Sequence, residues 1–287
     1  MIHVVVGASG YLGSSILSCL SSEEHVIATY RTKKEPIANE EWKQLDVGNL
    51  TSIDEFFSEL DADEQYTFYY LAALHHPDKV EEDWQLAWDI NITGLAYFLS
   101  RLPDNSDLIY SSTDNVYGES KNFVALDESS IKNPVNEYGK QKLLAESMVL
   151  SRGLKVARYC FLIGPSKISK PHFYDVIIES CISGDGIGLM TDSYRSVISF
   201  DKAAEYSVEL MKKFYQVDIG PINISSDDVM SKYDIGFKIV DKKYHDKISK
   251  ISIRNSSVFK AKRPENVILC NDKLKMLLLK DELKFYI

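Results

Sequence analysis

Tyr138 and Lys142 stand four residues apart at the start of a predicted helix. Four residues advance a helix by about 400°, so the phenol and the ammonium project from one face, one turn apart. A free tyrosine has a pKa of about 10, and a nearby ammonium favours the phenolate, which brings the hydroxyl toward acid/base work near neutral pH. A Tyr-x-x-x-Lys pair alone is usually a solvated helix edge, so its neighbours decide its meaning. Thr113 lies just past an apolar strand, Leu108 to Ser111, and ahead of that helix. A hydroxyl, a phenol and an ammonium can therefore converge over one crevice. The plain alternative is that Ser111, Ser112 and Thr113 merely end a strand and cap a turn.

A second chemical feature opens the chain. Ile2 to Val6 reads as a buried strand running into Gly7, Ser9, Gly10, Tyr11, Leu12 and Gly13, with an amphipathic helix to about Ser22. Glycines permit a tight turn and close backbone approach, and exposed amides at a helix start attract a pyrophosphate. The spacing is G-x-x-G-x-x-G, one residue longer in its first gap than the general dinucleotide fingerprint.

The elements that must position these residues alternate. Strands are expected at His25 to Tyr30, Trp42 to Leu45, Tyr66 to Leu71, Leu108 to Ser111 and Lys155 to Phe161, and helices at Ser52 to Leu60, Lys79 to Leu102 and from Tyr138. Such alternation implies parallel pairing with right-handed crossovers, hence an α/β, doubly wound parallel sheet. Periodicity loosens after Gly164 and Pro165. A helix at Phe173 to Ser183, a strand at Gly188 to Met190, a helix at Asp201 to Tyr215 and a strand at Ile222 to Ile224 suggest two interleaved units. Residues 1–165, with a return of 195–225, form the dinucleotide-binding domain; 166–194 and 226–287 form a smaller substrate domain. The Lys-rich stretch from Lys232 to Lys250 reads as a solvated surface.

Bulk properties exclude several classes. With 287 residues and 45% hydrophobic composition the chain can bury a large core. The net charge of −9 argues against a non-specific nucleic-acid binder. No apolar run approaches the roughly 18 residues of a membrane span, and the first residues form a strand rather than a signal peptide, so a cytoplasmic protein is expected. Cys19, Cys160, Cys181 and Cys270 lack metal-ligand spacing and fit buried thiols in a reducing compartment, and no metal site is expected.

Together these residues resemble the extended short-chain dehydrogenase/reductases, especially the RmlD-like nucleotide-sugar reductases, nearly end to end. The glycine motif, Asp46 and Val47 as an adenine-contacting pair, Leu71, Ala72 and Ala73 as a cofactor wall, and Asn91 in the following helix all match. So do the run from Ser111 through Thr113, Asp114 and Asn115 to Gly118, the Tyr138 and Lys142 pair, and Arg158 to Pro165 with Phe161 near a nicotinamide. Ala261, Lys262, Arg263 and Pro264, followed by Leu269, Lys273 and Leu274, resemble the C-terminal pattern of this subgroup.

The resemblance implies a Rossmann fold and hydride transfer between a nicotinamide and a carbinol or ketone carbon of a nucleotide-linked sugar. Tyr138 would supply the proton, Lys142 would hold the nicotinamide ribose, Thr113 would position the substrate oxygen, and Ser111 would border the cofactor. The second strand ends at Tyr30 and Arg31, where a carboxylate usually accepts ribose hydroxyls. Arg31, with Lys33 and Lys34, can instead meet a 2′-phosphate, which favours NADP(H) over NAD(H). His75 and His76 follow the fourth-strand wall, where they can border the substrate, although neighbouring histidines after a strand are commonly plain loop residues. His172 lies where a substrate-facing segment, or an epimerisation acid, is expected. Arg195, Asp201, Asn223 and Arg263 are candidates for substrate contacts or inter-domain ties. The reading is an NADP-dependent reductase of a nucleotide-activated 4-keto-6-deoxy sugar, working in cell-surface carbohydrate synthesis as a homodimer built through its long helices. Its rivals are an NAD-dependent epimerase or dehydratase of the same family and a non-catalytic, cofactor-binding regulatory subunit.

Overall fold

The computed structural model describes residues 1–20, 24–32, 41–213, 220–255 and 259–287. The chain begins with β1 (Ile2–Val6), α1 (Tyr11–Cys19), β2 (His25–Tyr30), β3 (Glu41–Gln44), α2 (Leu50–Ser58), β4 (Tyr66–Tyr70), α3 (Pro77–Glu82), α4 (Trp84–Trp88) and α5 (Leu95–Arg101). It continues through β5 (Ser106–Thr113), α6 (Glu137–Leu150), β6 (Lys155–Tyr159), β7 (Phe161–Ile163), α7 (Phe173–Ser183), β8 (Ile187–Met190) and β9 (Tyr194–Ser199). The last part holds α8 (Phe200–Lys212), β10 (Pro221–Ile224), β11 (Val229–Ser231), α9 (Lys232–Ile239), β12 (Ile248–Ile251), β13 (Asn266–Val267) and α10 (Asp272–Leu278).

A seven-stranded parallel sheet runs in the order β3, β2, β1, β4, β5, β6, β10. Its inner strands are buried along most of their length because helices cover both faces. Val5, Tyr69, Ile109 and Ala157 face one layer, packed with Ile16 of α1 and Ala203 and Ala204 of α8. Val4, Phe68, Leu108 and Val156 face the other, packed with Phe56 of α2, Phe98 of α5 and Ala145 of α6. The expected doubly wound sheet is present.

A second, smaller sheet joins β11, β9 and β13, with β7 also paired to β9, and β8 pairs with β12. Thus β9 lies in the small sheet, while α8 and β10 return to the large one. Among the described residues no helix is long and apolar enough to cross a membrane.

Three expectations are corrected. The helix expected from Lys79 to Leu102 is broken at Asp83, whose backbone leaves the helical region (φ −135°, ψ 76°) and whose carboxylate caps Leu86 N at 3.0 Å. A wide turn then spans Asp89–Gly94. The strand expected from Lys155 to Phe161 ends at Tyr159, and Phe161 starts β7 in the small sheet. The stretch from Lys232 to Lys250 is not merely surface: it forms α9 and β12 and buries Ile235, Gly236 and Ile248. The C-terminal limit expected for the helix at Asp201 to Tyr215, and the phosphate contacts expected of Lys33 and Lys34, fall outside the described residues.

Candidate active site

The carboxyl ends of β1, β4, β5 and β6 open onto a cleft of about 600 Å³ that extends to the small sheet. Its floor is the glycine loop. Gly7 has φ +89°, a conformation that side chains resist, and a Cβ there would press the Ala72 amide at 3.1 Å. A Cβ on Gly13 would collide with the Gly7 carbonyl oxygen and lie 2.7 Å from the Ala8 Cα. Gly10 is the N-cap of α1 and brings no side chain to the first-turn amides. Ser9, Gly10, Tyr11 and Leu12 line the cleft. A bare helix start behind a glycine-rich loop fits the pyrophosphate of a nicotinamide dinucleotide.

Above the loop, α6 begins at its cap Asn136, whose side chain accepts from Gly139 N at 2.9 Å. This start places Tyr138 and Lys142 one turn apart, both buried and both lining the cleft. The Tyr138 ring packs against Val80, Ala87 and Leu74. Burial raises its pKa above the ordinary phenol value, the Asp114 carboxylate adds to this, and a hydrogen bond with the Thr113 hydroxyl opposes it. The expectation of an ammonium-lowered phenol is therefore corrected: burial holds the Tyr138 phenol above its ordinary value. Lys142 instead donates to the Ser111 carbonyl at 2.6 Å and the Tyr110 hydroxyl at 3.0 Å. Burial pushes its amine down to about 7, with Glu146 pulling the other way.

This shift makes stability depend on pH. Between about 7 and the ordinary lysine value of 10.5 the unfolded chain holds more of this proton than the folded one. The cost of burying Lys142 is thus fully present below pH 7 and eases as pH rises. Lys142→Met removes that dependence. Its melting temperature relative to wild type is expected to be highest near pH 6 and to fall toward pH 9 in thermal scans at fixed ionic strength; parallel curves would mean that the folded lysine stays charged.

Thr113 closes β5, opposite Tyr159 of β6. Its hydroxyl donates to Asp114 Oδ1 at 3.2 Å and accepts from Asn115 Nδ2 at 3.0 Å. Asp114, buried, receives Arg195 in a bidentate pair, Nε to Oδ2 at 3.0 Å and Nη2 to Oδ1 at 2.7 Å. That pair ties β9 to the end of β5. Arg263 pairs with Asp78 at 2.9 Å, and Asp201 accepts from Ser15 at 2.8 Å and Lys167 at 2.6 Å. Asn223 is buried, accepts from the Tyr117 hydroxyl at 2.8 Å and donates to Leu126 and Cys270 carbonyls. Asp201 and Asn223 are ties; Arg195 and Arg263 are ties that also line the cleft.

His172 lines the cleft as the cap of α7, its Nδ1 accepting from Tyr174 N at 3.4 Å. Its ring sits edge-on to Tyr11 and Phe200, and burial holds its pKa down to about 4. A neutral imidazole with one nitrogen committed to capping is a wall of the cleft.

Leu71, Ala73, Ser111 and Phe161 also line the cleft, whereas Arg31, Asp46, Val47, Ala72 and Asn91 stand outside its lining. Asp46 accepts from Gly48 N at 3.0 Å, and Val47 is buried in the core. Buried Asn91 accepts from Leu74 N at 2.8 Å and donates to Gln141 of α6 at 2.8 Å, so it braces the helix that carries Tyr138. Sequence reasoning missed Lys232, which lines the cleft over the rings of Phe173 and Phe161; His75, weighed there as a substrate-bordering or a plain loop residue, does line the cleft.

A seven-stranded parallel sheet with a glycine loop and a buried phenol at one mouth is a Rossmann-like architecture. The RmlD substrate binding domain family matches residues 1–285, and the chain belongs to that family. It is 25% identical over 247 residues to the probable low-salt glycan biosynthesis reductase Agl14 of Haloferax volcanii, covering 84% of this chain and 80% of that one. It is 23% identical over 253 residues to the dTDP-4-dehydrorhamnose reductase of Aggregatibacter actinomycetemcomitans, covering 85% of this chain and 80% of the relative. The crystal structure of a hypothetical dTDP-4-dehydrorhamnose reductase from Sulfolobus tokodaii superposes with a TM-score of 0.83 at 23% identity, covering 100% of this chain and 98% of the other.

Proposed function

We propose that this protein reduces the keto group of a nucleotide-activated 4-keto-6-deoxy sugar with NADPH, as a step in cell-surface carbohydrate synthesis. The observation that carries the reading is the buried Tyr138 phenol, lining with Thr113 the same cleft as the glycine loop, in a chain whose family match is nearly end to end. The loop from Gly7 to Gly13 would hold the cofactor pyrophosphate, Lys142 the nicotinamide ribose, and Phe161 would border the ring. Once bound, the nicotinamide supplies the hydride. Tyr138 donates its proton to the ketone oxygen, and the Thr113 hydroxyl holds that oxygen in line. A protonated Lys142 stabilises the phenolate that remains.

Incubating the protein with NADPH and a panel of nucleoside-diphosphate 4-keto sugars should consume NADPH with one of them, the product being identified by mass and proton spectra. Stoichiometric nicotinamide retained through purification, with no NADPH consumed, would instead mark an epimerase or dehydratase. Copurification with a stoichiometric enzyme and no turnover would mark a regulatory subunit. Pairing of two copies through the helices around α4 belongs to the same proposal, since Trp84 and Leu86 are each 48% exposed there.

The preference for NADPH rests on Arg31. Its side chain is exposed at the end of β2, and no carboxylate pairs with it among the described residues. A guanidinium matches a phosphate in a charge-assisted pair of about 1.5–3 kcal/mol. Arg31→Ser should weaken NADPH binding about tenfold or more and leave NADH unchanged in fluorescence titrations. Equal loss for both cofactors would remove the argument for NADPH.

A further inference from the structure

Among the described residues, Lys232 is a cation without a counterion. It is the first residue of α9, directly after Ser231, whose hydroxyl and Asp234 form a closed capping box, so the helix start makes no demand on it. Its ammonium lies 5.0 Å from the Phe173 ring centre and 5.9 Å from that of Phe161. The side chain is half-buried and lines the cleft, yet among the described residues no carboxylate pairs with it. The neighbouring cations are already matched, Arg195 by Asp114 and Arg263 by Asp78. Burial, then Arg195 and Arg263, push the Lys232 amine down to about 8. A positive charge held on apolar rings beside two guanidinia is costly when empty, and an oxyanion placed there offsets that cost.

We infer that Lys232 reads the negative charge of the substrate: an oxyanion seats on its ammonium, beside Arg195 and Arg263, and this contact decides which substrates bind. The inference rests on the nucleotide-sugar reading. The oxyanion has two possible sources, the phosphates of a nucleoside diphosphate or a carboxylate on the sugar itself. Arg195 bonds to the residue that follows Thr113, so the cation group borders the acid/base set as well as the small sheet. Lys232 is accordingly a specificity residue, outside the proton-transfer set.

The test uses Lys232→Met, which keeps the aliphatic stem against Phe161 and Phe173, and Lys232→Arg, which keeps the charge. Titration calorimetry on the full chain compares UDP, dTDP, UMP, inorganic pyrophosphate, UDP-glucose and UDP-glucuronate, with melting temperatures to verify folding. Lys232→Met should weaken the recognised probe about tenfold or more, and Lys232→Arg should restore most of it. If the phosphates are read, UDP, dTDP and pyrophosphate weaken and UMP changes little. If a sugar carboxylate is read, UDP-glucuronate loses its advantage over UDP-glucose and UDP is unaffected. Lys232-dependent pyrophosphate binding without binding of any nucleoside diphosphate would uphold the inference and defeat the nucleotide-sugar reading. Equal affinity of wild type and folded Lys232→Met for every probe, or no binding of any probe, would overturn the inference.

Discussion

Tyr138→Phe should lower kcat by about 10²- to 10⁴-fold, the usual contribution of a positioned general acid, while cofactor binding is retained. The substitution removes one oxygen and little else. The ring packs on Val80, Ala87 and Leu74, contacts that phenylalanine keeps. Thr113, which lines the cleft with Tyr138, keeps its own bonds to Asp114 and Asn115, so no buried group is stranded. Fold stability should therefore change by about 1 kcal/mol, the worth of one ordinary hydrogen bond. Burial keeps the phenol protonated well past neutrality, so the wild-type reduction rate should show no alkaline limb from Tyr138 below pH 9. Steady-state rates with the matched ketosugar, alongside cofactor titration, decide the matter. A kcat within threefold of wild type would remove Tyr138 as the acid and the mechanism with it.

What the sequence discloses, and what it withholds, follows from the range of the interactions. β1, β4 and β5 can be read because their apolar runs are short, unbroken and bounded by polar turns. The cradle can be read because glycine is required where a Cβ would strike the chain, as at Gly13. Tyr138 and Lys142 can be read because helix geometry links residues four apart. The break at Asp83 is hidden because an aspartate among helix formers looks like a surface residue until its carboxylate is seen to cap Leu86. The switch of sheets after Tyr159 is hidden because β6 and β7 are both apolar, and only the pairing of Phe161 with Val197 separates them. Arg195 and Asp114 lie 81 residues apart, and no local pattern announces their pairing. Lys232 fails for a related reason: it opens a Lys-rich stretch that reads as solvated surface, and the rings beneath its ammonium come from β7 and α7. The phenol pKa was misjudged because a sequence conveys which charges are near but not how much water burial removes.

The second large effect is on stability and lies behind the cleft. Arg158 and Glu146 are both 2% exposed and form a bidentate pair, Nε to Oε1 at 2.9 Å and Nη2 to Oε2 at 2.6 Å. Glu146 sits one turn beyond Lys142 on α6 and also accepts the Ser112 hydroxyl at 2.5 Å, immediately before Thr113. Arg158 stacks over the Tyr117 ring and donates to its hydroxyl at 2.7 Å. The pair, with Ser112, thus locks α6, which carries Tyr138 and Lys142, to β6 and to β5, which carries Thr113. Replacing the pair with apolar groups is often neutral, but removing one member leaves a buried charge uncompensated and costs about 3–5 kcal/mol. Glu146→Leu should therefore lose that much in urea unfolding, whereas Glu146→Leu combined with Arg158→Met should recover most of it. Tyr117→Phe, which deletes only the hydroxyl between Arg158 and Asn223, should cost about 1–3 kcal/mol. If Glu146→Leu costs no more than Tyr117→Phe, the guanidinium finds water or another partner. The register of α6 over β5 would then depend on its apolar face, Ala145 and Val149, rather than on the ion pair.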